Sequence, residues 1–267
     1  MVASLLGCAQ PKPVVLNSDM LVDAPVRSLS RAALGADTAG ARFDHAAWGR
    51  LLADAVAADG TVDYARIKRR EGELNAYLVD VGNVRLEALS RYERMALLIN
   101  AYNACTIKMI VENPGLKAVT DLPAARGWQQ VGWVIDRTGV SLQQLEQDYI
   151  RRYFPDPRVN LLLVRGARGS APLQREPYTG AALARQMDEQ ARRVLADPRY
   201  CAWDGDSNTL RLGGVFERHR ADFGDGDAAL IRSLYPWMPD LLRLTLKART
   251  TIALEFASFD WRLNGTW

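Results

Sequence analysis

Apolar positions recur along the chain at helical spacing over most of its length, interrupted by a few short runs of strand character. From Phe43 onward Asp44 stands as an N-cap, and Trp48, Leu51, Leu52 and Val56 form one stripe until Asp59-Gly60 stops it. A second helix is predicted over Tyr64 to Val81, with Ile67, Leu74, Tyr77 and Leu78 on one side. The third has the clearest ends. Ser90 and Glu93 have the spacing of a capping box, Met95, Leu98, Ile99, Tyr102, Ile107 and Ile110 follow, and Pro114-Gly115 ends the run.

Residues 128 to 140 read as a hairpin, in which VGWVID has strand character and Arg137-Thr138-Gly139 supplies the turn. Ser141 and Gln144 then cap a helix reaching about Arg152. The run Val159 to Val164 is nearly all apolar and predicts a central strand, which delivers Ser170 to its mouth through Gly166-Ala167-Arg168-Gly169. That glycine pair is a turn signal and falls short of a phosphate loop. A helix from Thr179 to about Leu195, a strand at Thr209 to Leu212, helices at Val215 to Asp222 and Ala228 to Leu246, and a last strand TIALEF complete the pattern. Pro236 and Pro239 are expected to break the last helix. Helices outnumber scattered strands, so the fold class is α+β: a mainly helical single domain around a small sheet.

Composition narrows the function classes. At 48% hydrophobic and 24% charged, the 267 residues suit a folded domain of ordinary size. The net charge is only +3, and the basic residues, of which five are lysine, are interleaved with acids. No basic helix or aromatic interleaving marks a nucleic-acid surface, and no nucleic-acid partner is expected. Cys8, Cys105 and Cys201 are too widely spaced for a metal motif, and His45 and His219 adjoin none of them. No metal or cofactor is expected. Cys105, inside a helical run, reads as a small buried hydrophobe.

Cys8 differs, because MVASLLGC has the form of a bacterial lipobox. Only the tail of a signal peptide is present, so the translation start is expected upstream of Met1. Acylation at Cys8 would anchor the protein to a membrane on the periplasmic side of the bacterial cell envelope. Residues 1–40, rich in Pro, Ala, Ser and Asp, then read as lipobox remnant and flexible tether, with the domain over 41–267.

Three stretches carry a family resemblance: LLINAYNACTIKMIVEN at 97–113, DPRVNLLLVRGARGSAPLQREPYTG at 156–180 and SFDWRLNG at 258–265. With RFDHAAW and GTVDYARIK they resemble the bacterial family called domain of unknown function 547, over most of residues 42–265. The family pattern carries I-E-H in the helix after the hairpin, R-I-H on the following segment and S-C-P-P-L in the loop, which together look like a thiol active site. Carried over by position, its two histidines and cysteine fall on Gln147, Asn160 and Ser170. A serine needs a positioned base, and neither amide can serve.

The resemblance therefore implies a relative without thiol chemistry, acting as a module for an anionic ligand or an envelope protein partner. A hydrolase using Ser170 with His219 as base, and a purely structural interaction protein, are the alternatives. Arg165, Arg168 and Arg175 flank Ser170 and are expected to form an anion-attracting mouth, or else a solvated edge. His45 reads as packing or capping. Asp260 is expected either to orient a site residue or to make a structural hydrogen bond, and Trp261 to pack inside and close the fold.

Overall fold

The helix Arg91–Val111 organises the molecule, because every residue from Met95 to Val111 is buried. A helix buried on all sides is the core itself, and the other elements pack around it. Ser90 Oγ caps its start by accepting from Glu93 N at 3.3 Å. The Glu93 carboxylate turns inward. It accepts from Gly180 N at 2.8 Å and Phe43 N at 3.3 Å, and lies 3.7 Å from His45 Nε2. Half of the expected capping box thus forms, and the other half is replaced by a tie between three distant segments.

The computed structural model describes residues 13–16, 21, 40–123 and 127–267. Cys8 and most of the expected tether lie outside them. Pro13–Val15, within the tether span, forms strand β1. Helix α1 (Ala46–Ala55) buries Trp48, Leu51 and Leu52, and Asp44 Oδ1 accepts from Ala46 N at 2.8 Å. Strand β2 is Val62–Asp63. The single helix expected over 64–81 is two, α2 (Tyr64–Arg69) and α3 (Glu71–Asn83), separated at Arg70, whose guanidinium pairs with Glu73 and Asp54. The central helix is α4.

Strands β3 (Trp133–Ile135) and β4 (Thr138–Val140) form the hairpin. Its turn is Asp136-Arg137, both at positive φ, which is the backbone a two-residue hairpin loop requires. The full Ser141–Gln144 box caps α5 (Leu142–Gln144), which continues as a π-helical stretch over Leu145–Arg151. Helix α6 is Leu183–Leu195, β5 is Cys201–Asp204 and β6 is Thr209–Leu212. Helix α7 (Gly214–Arg218) precedes a 3-10 turn at Arg220–Phe223. Pro236 and Pro239 separate α8 (Asp227–Leu234) from α9 (Asp240–Lys247), as their missing amide donors dictate. β7 (Thr251–Phe256) and β8 (Gly265–Thr266) follow.

The sheet order is β1-β7-β6-β5, with β6 and β7 parallel and both outer pairs antiparallel; β2 and β8 pair separately. With about 50% helix and 15% strand, the protein is α+β as the pattern predicts.

The apolar run Val159–Val164 is not a strand. Pro157–Leu161 is a 3-10 turn, capped by the Asp156 side chain on Arg158 N at 2.9 Å. Beyond it, the Asn103 side chain of α4 donates to Leu162 O at 2.9 Å and accepts from Val164 N at 2.8 Å. These backbone groups have a side-chain partner, so the segment needs no neighbouring strand. Its apolar character reflects burial alone.

The C-terminal segment laces the surface of this core. Leu263 N bonds to Lys117 O at 2.8 Å, while Arg168 N and Gly169 N bond to Arg262 O and Asp260 O at 2.8 Å each. The expected closure by this tail is therefore made by its backbone. Trp261 itself is only half-buried, contrary to expectation, because it faces a cleft.

Gly180 is required where it approaches Glu93, since a Cβ there would sit 2.5 Å from Glu93 Oε2. Burial raises the Glu93 pKa, but His45 and the amides of Gly180 and Phe43 outweigh it and hold the group below its ordinary value. Its stabilisation is present above pH 4.5 and is lost as pH falls through the lowered folded value. Replacing Glu93 by Ala leaves two half-buried amides without their carboxylate, and is predicted to cost about 2 kcal/mol in urea unfolding at pH 7. The difference from wild type should shrink below pH 4.

Candidate functional site

The three positions equivalent to the family's thiol site do not share one cavity. Gln147, from the π-helical stretch, and Asn160, from the 3-10 turn, line a cavity of about 330 Å³ with Arg151 and Asp222. Asn160 Nδ2 donates to Asp222 Oδ2 at 2.8 Å, and its Oδ1 is buried without a partner. Ser170 lines a separate cavity of about 540 Å³. Its Oγ accepts from Arg165 N at 3.1 Å, and its carbonyl accepts from Tyr200 Oη at 2.6 Å. The tight turn that brings Ser170 there depends on Gly166, at φ +69° and with Ile110 Cδ1 2.2 Å from where a Cβ would lie.

His219 is buried, and among the described residues no hydrogen bond joins it to Ser170. Burial, reinforced by Arg165 and Arg151, pushes its pKa down to about 3. His45 is held between Tyr77 Oη at 2.9 Å and Glu93, in a packing role. Cys105 and Cys201 are free and buried, and burial pushes both thiols up.

The expected arginine mouth is divided among three places. Arg165 pairs with Glu146, with its Nη2 at 2.6 and 2.5 Å from the two carboxylate oxygens. Arg168 donates to Leu263 O beside the Ser170 cavity, and Arg175 donates to Ala53 O at a shallow surface depression. The reason is the turn at Gly166, which sends successive arginines to different faces. Asp260 accepts from Arg262 N at 3.0 Å and pairs with its guanidinium at 2.6 Å, which is a local structural role. Arg262 holds that carboxyl below its usual range.

A larger cleft, of about 650 Å³, lies where α5 and its π-helical continuation meet the 119–123 turn, Trp128, the end of α7 and Trp261. Its floor is the Glu146–Arg165 pair. Tyr102 Oη donates to Glu146 at 3.2 Å and accepts from Trp128 Nε1 at 3.1 Å, which fixes the indole. At the rim the Arg218 guanidinium lies 5.0 Å over the Trp261 ring and 5.8 Å from that of Phe259. Arg218 is exposed as a whole, but partial desolvation and the charge of Arg165 outweigh the attraction of Glu146 and hold it below its ordinary pKa. No carboxylate of the described residues lies within ion-pair distance of it. Glu146, Trp128, Tyr102 and Arg218 were not singled out by sequence reasoning. The signals were nonetheless close: Glu146 is the middle residue of the I-E-H pattern, and Arg218 immediately precedes His219.

Residues 86–195 match the model of a protein family of unknown function, DUF547. That match supports membership of the DUF547 family. No curated protein and no solved structure matches it. The DUF547 match contains Glu146, Gln147, Asn160, Arg165 and Ser170, whereas Arg218, His219 and Trp261 come from the chain beyond it. The cleft of this DUF547 protein is thus assembled from the matched region and the C-terminal region together. Among the described residues no group of three or more His, Cys, Asp or Glu is placed to hold a metal ion. No helix among them is long and apolar enough to cross a membrane.

The environment of His219 has a measurable consequence. The unfolded chain protonates this imidazole near pH 6.5 and the folded protein only near 3, so between these values the unfolded state binds more protons. Stability is predicted to rise with pH across that window, and His219→Gln should flatten the slope. NMR titration should find the His219 ring neutral at pH 5 in the folded protein; a midpoint near 6.5 would contradict this.

Proposed function

We propose that this DUF547 protein is a ligand-binding module of the bacterial cell envelope, descended from a thiol-hydrolase-like scaffold and no longer using its chemistry. The observation that carries the reading is the cleft over the Glu146–Arg165 pair. It is open, it presents fixed aromatic surface, and it holds in Arg218 a cation that pairs with no carboxylate among the described residues. A concave site with a few convergent polar groups on an apolar lining is what small-molecule recognition needs.

The hydrolase alternative requires His219 to take a proton from Ser170. Among the described residues no hydrogen bond joins His219 to Ser170, and burial keeps the His219 pKa far below that of a general base at neutral pH. A purely structural interaction protein would be better served by a filled site. The envelope location rests on the lipobox-like MVASLLGC and on the acyl chains that Cys8 would carry.

Two experiments test this reading. A serine-directed fluorophosphonate should leave Ser170 unlabelled in the folded protein; stoichiometric labelling that disappears in His219→Ala would establish the hydrolase instead. In cells, labelled palmitate should follow the protein to the membrane fraction and be lost in Cys8→Ala, while a soluble, unlabelled product would refute the anchor.

A further inference from the structure

The cleft carries chemical information about its ligand beyond the reading just given, on which this inference rests. Its cationic content is specific. Arg165 pairs with Glu146 through two contacts, and Asp121, held by the amides of Lys117 and Ala118, adds a carboxylate to the same lining. Arg218 remains, set against Trp261 and Phe259 and repelled by Arg165. Among the described residues no carboxylate pairs with this guanidinium, and its planar fork matches a carboxylate through two parallel hydrogen bonds. A phosphate monoester, carrying nearly two charges at neutral pH, would set the larger charge against the Asp121 carboxylate on the same lining.

The uncharged lining is equally specific. Gln129, Gln143 and Gln147 line this cleft, the first and last exposed, and none of their side chains makes a hydrogen bond to another described residue. Each offers both a donor and an acceptor, the combination that pairs with hydroxyl groups. Trp128 supplies a half-buried indole whose orientation is set by Tyr102, a flat apolar surface on which a pyranose ring can lie. A purely apolar acid would leave the three amides unused, and a neutral sugar would leave Arg218 unused.

We propose that the cleft binds a sugar ring bearing a carboxylate, with the carboxylate on Arg218, the ring against Trp128, and the hydroxyls on Gln129, Gln143 and Gln147. Trp261 and Phe259 act as positioning residues that hold the guanidinium in place before the ligand arrives. The acid can come free or as part of a glycan chain, since the recognised unit is the same.

The test is a titration of the full chain, followed by tryptophan fluorescence and by the indole N–H resonance of Trp128. The probes are D-glucuronate, polygalacturonate, D-glucose, inorganic phosphate and the peptide Ala-Ala-Ala with a free C-terminus. Glucuronate or the polymer should bind at least about tenfold more tightly than glucose, phosphate or the peptide. Monomer binding indicates a free acid, and preference for the polymer indicates a glycan. Arg218→Gln should weaken binding roughly tenfold or more. Arg218→Lys should recover part of it, and Arg185→Gln, on the far side of an exposed helix pair with Glu189, should change nothing. Glucuronate and polymer binding no better than glucose, or binding indifferent to Arg218→Gln, would overturn the inference. If the peptide or phosphate shifts the Trp128 resonance in their place, the ligand class is wrong while the binding module stands. If no probe shifts it, both fail.

Discussion

Two asparagines on one buried helix hold the segments that build the site. Asn103 exchanges two hydrogen bonds with the backbone of Leu162 and Val164, and one turn earlier Asn100 does the same with Tyr178, at 2.7 Å to its carbonyl and 3.0 Å from its amide. Each side-chain amide imitates a strand partner in the interior, where unpaired backbone groups would cost about 1–3 kcal/mol each. Through these clamps α4 fixes the 157–165 segment, and with it Arg165. The Glu93 tie to Gly180, from the same helix, fixes the far end of the loop that follows.

With Arg165 so placed, its charge determines the surroundings. Its guanidinium and Glu146 are both nearly buried, and such a pair persists only where further bonds satisfy it. Tyr102 supplies one on the carboxylate side, and its own oxygen restrains Trp128. The same positive charge reaches two neighbours. It helps to keep His219 neutral and opposes the charge of Arg218, which Glu146 attracts. The fixed indole of Trp128 and the neutral state of His219 therefore both trace to this buried pair.

Much of this was legible in the sequence. Helical periodicity and caps located α1, α4 and α6, the prolines divided α8 from α9, and the α+β class followed from the balance of elements. The Val159–Val164 run misled because burial and sheet membership leave the same apolar signature; only the Asn103 side chain, supplied from 60 residues away, distinguishes them. Strand β5 was missed because CAWD is short and carries a charge at its end. The site was harder to read, since neighbours in sequence were taken for neighbours in space. The turn at Gly166 sends Arg165 and Ser170 to different cavities, and Arg218 lies well outside the 156–180 stretch.

The most direct test of the central claim is native-state hydrogen exchange at two amides, Val164 N and Tyr178 N. If α4 clamps these segments through Asn103 and Asn100, both amides should exchange only through global unfolding, with the same free energy and denaturant dependence as the core amides of α4. Exchange at rates typical of surface loops, with little denaturant dependence, would contradict the account.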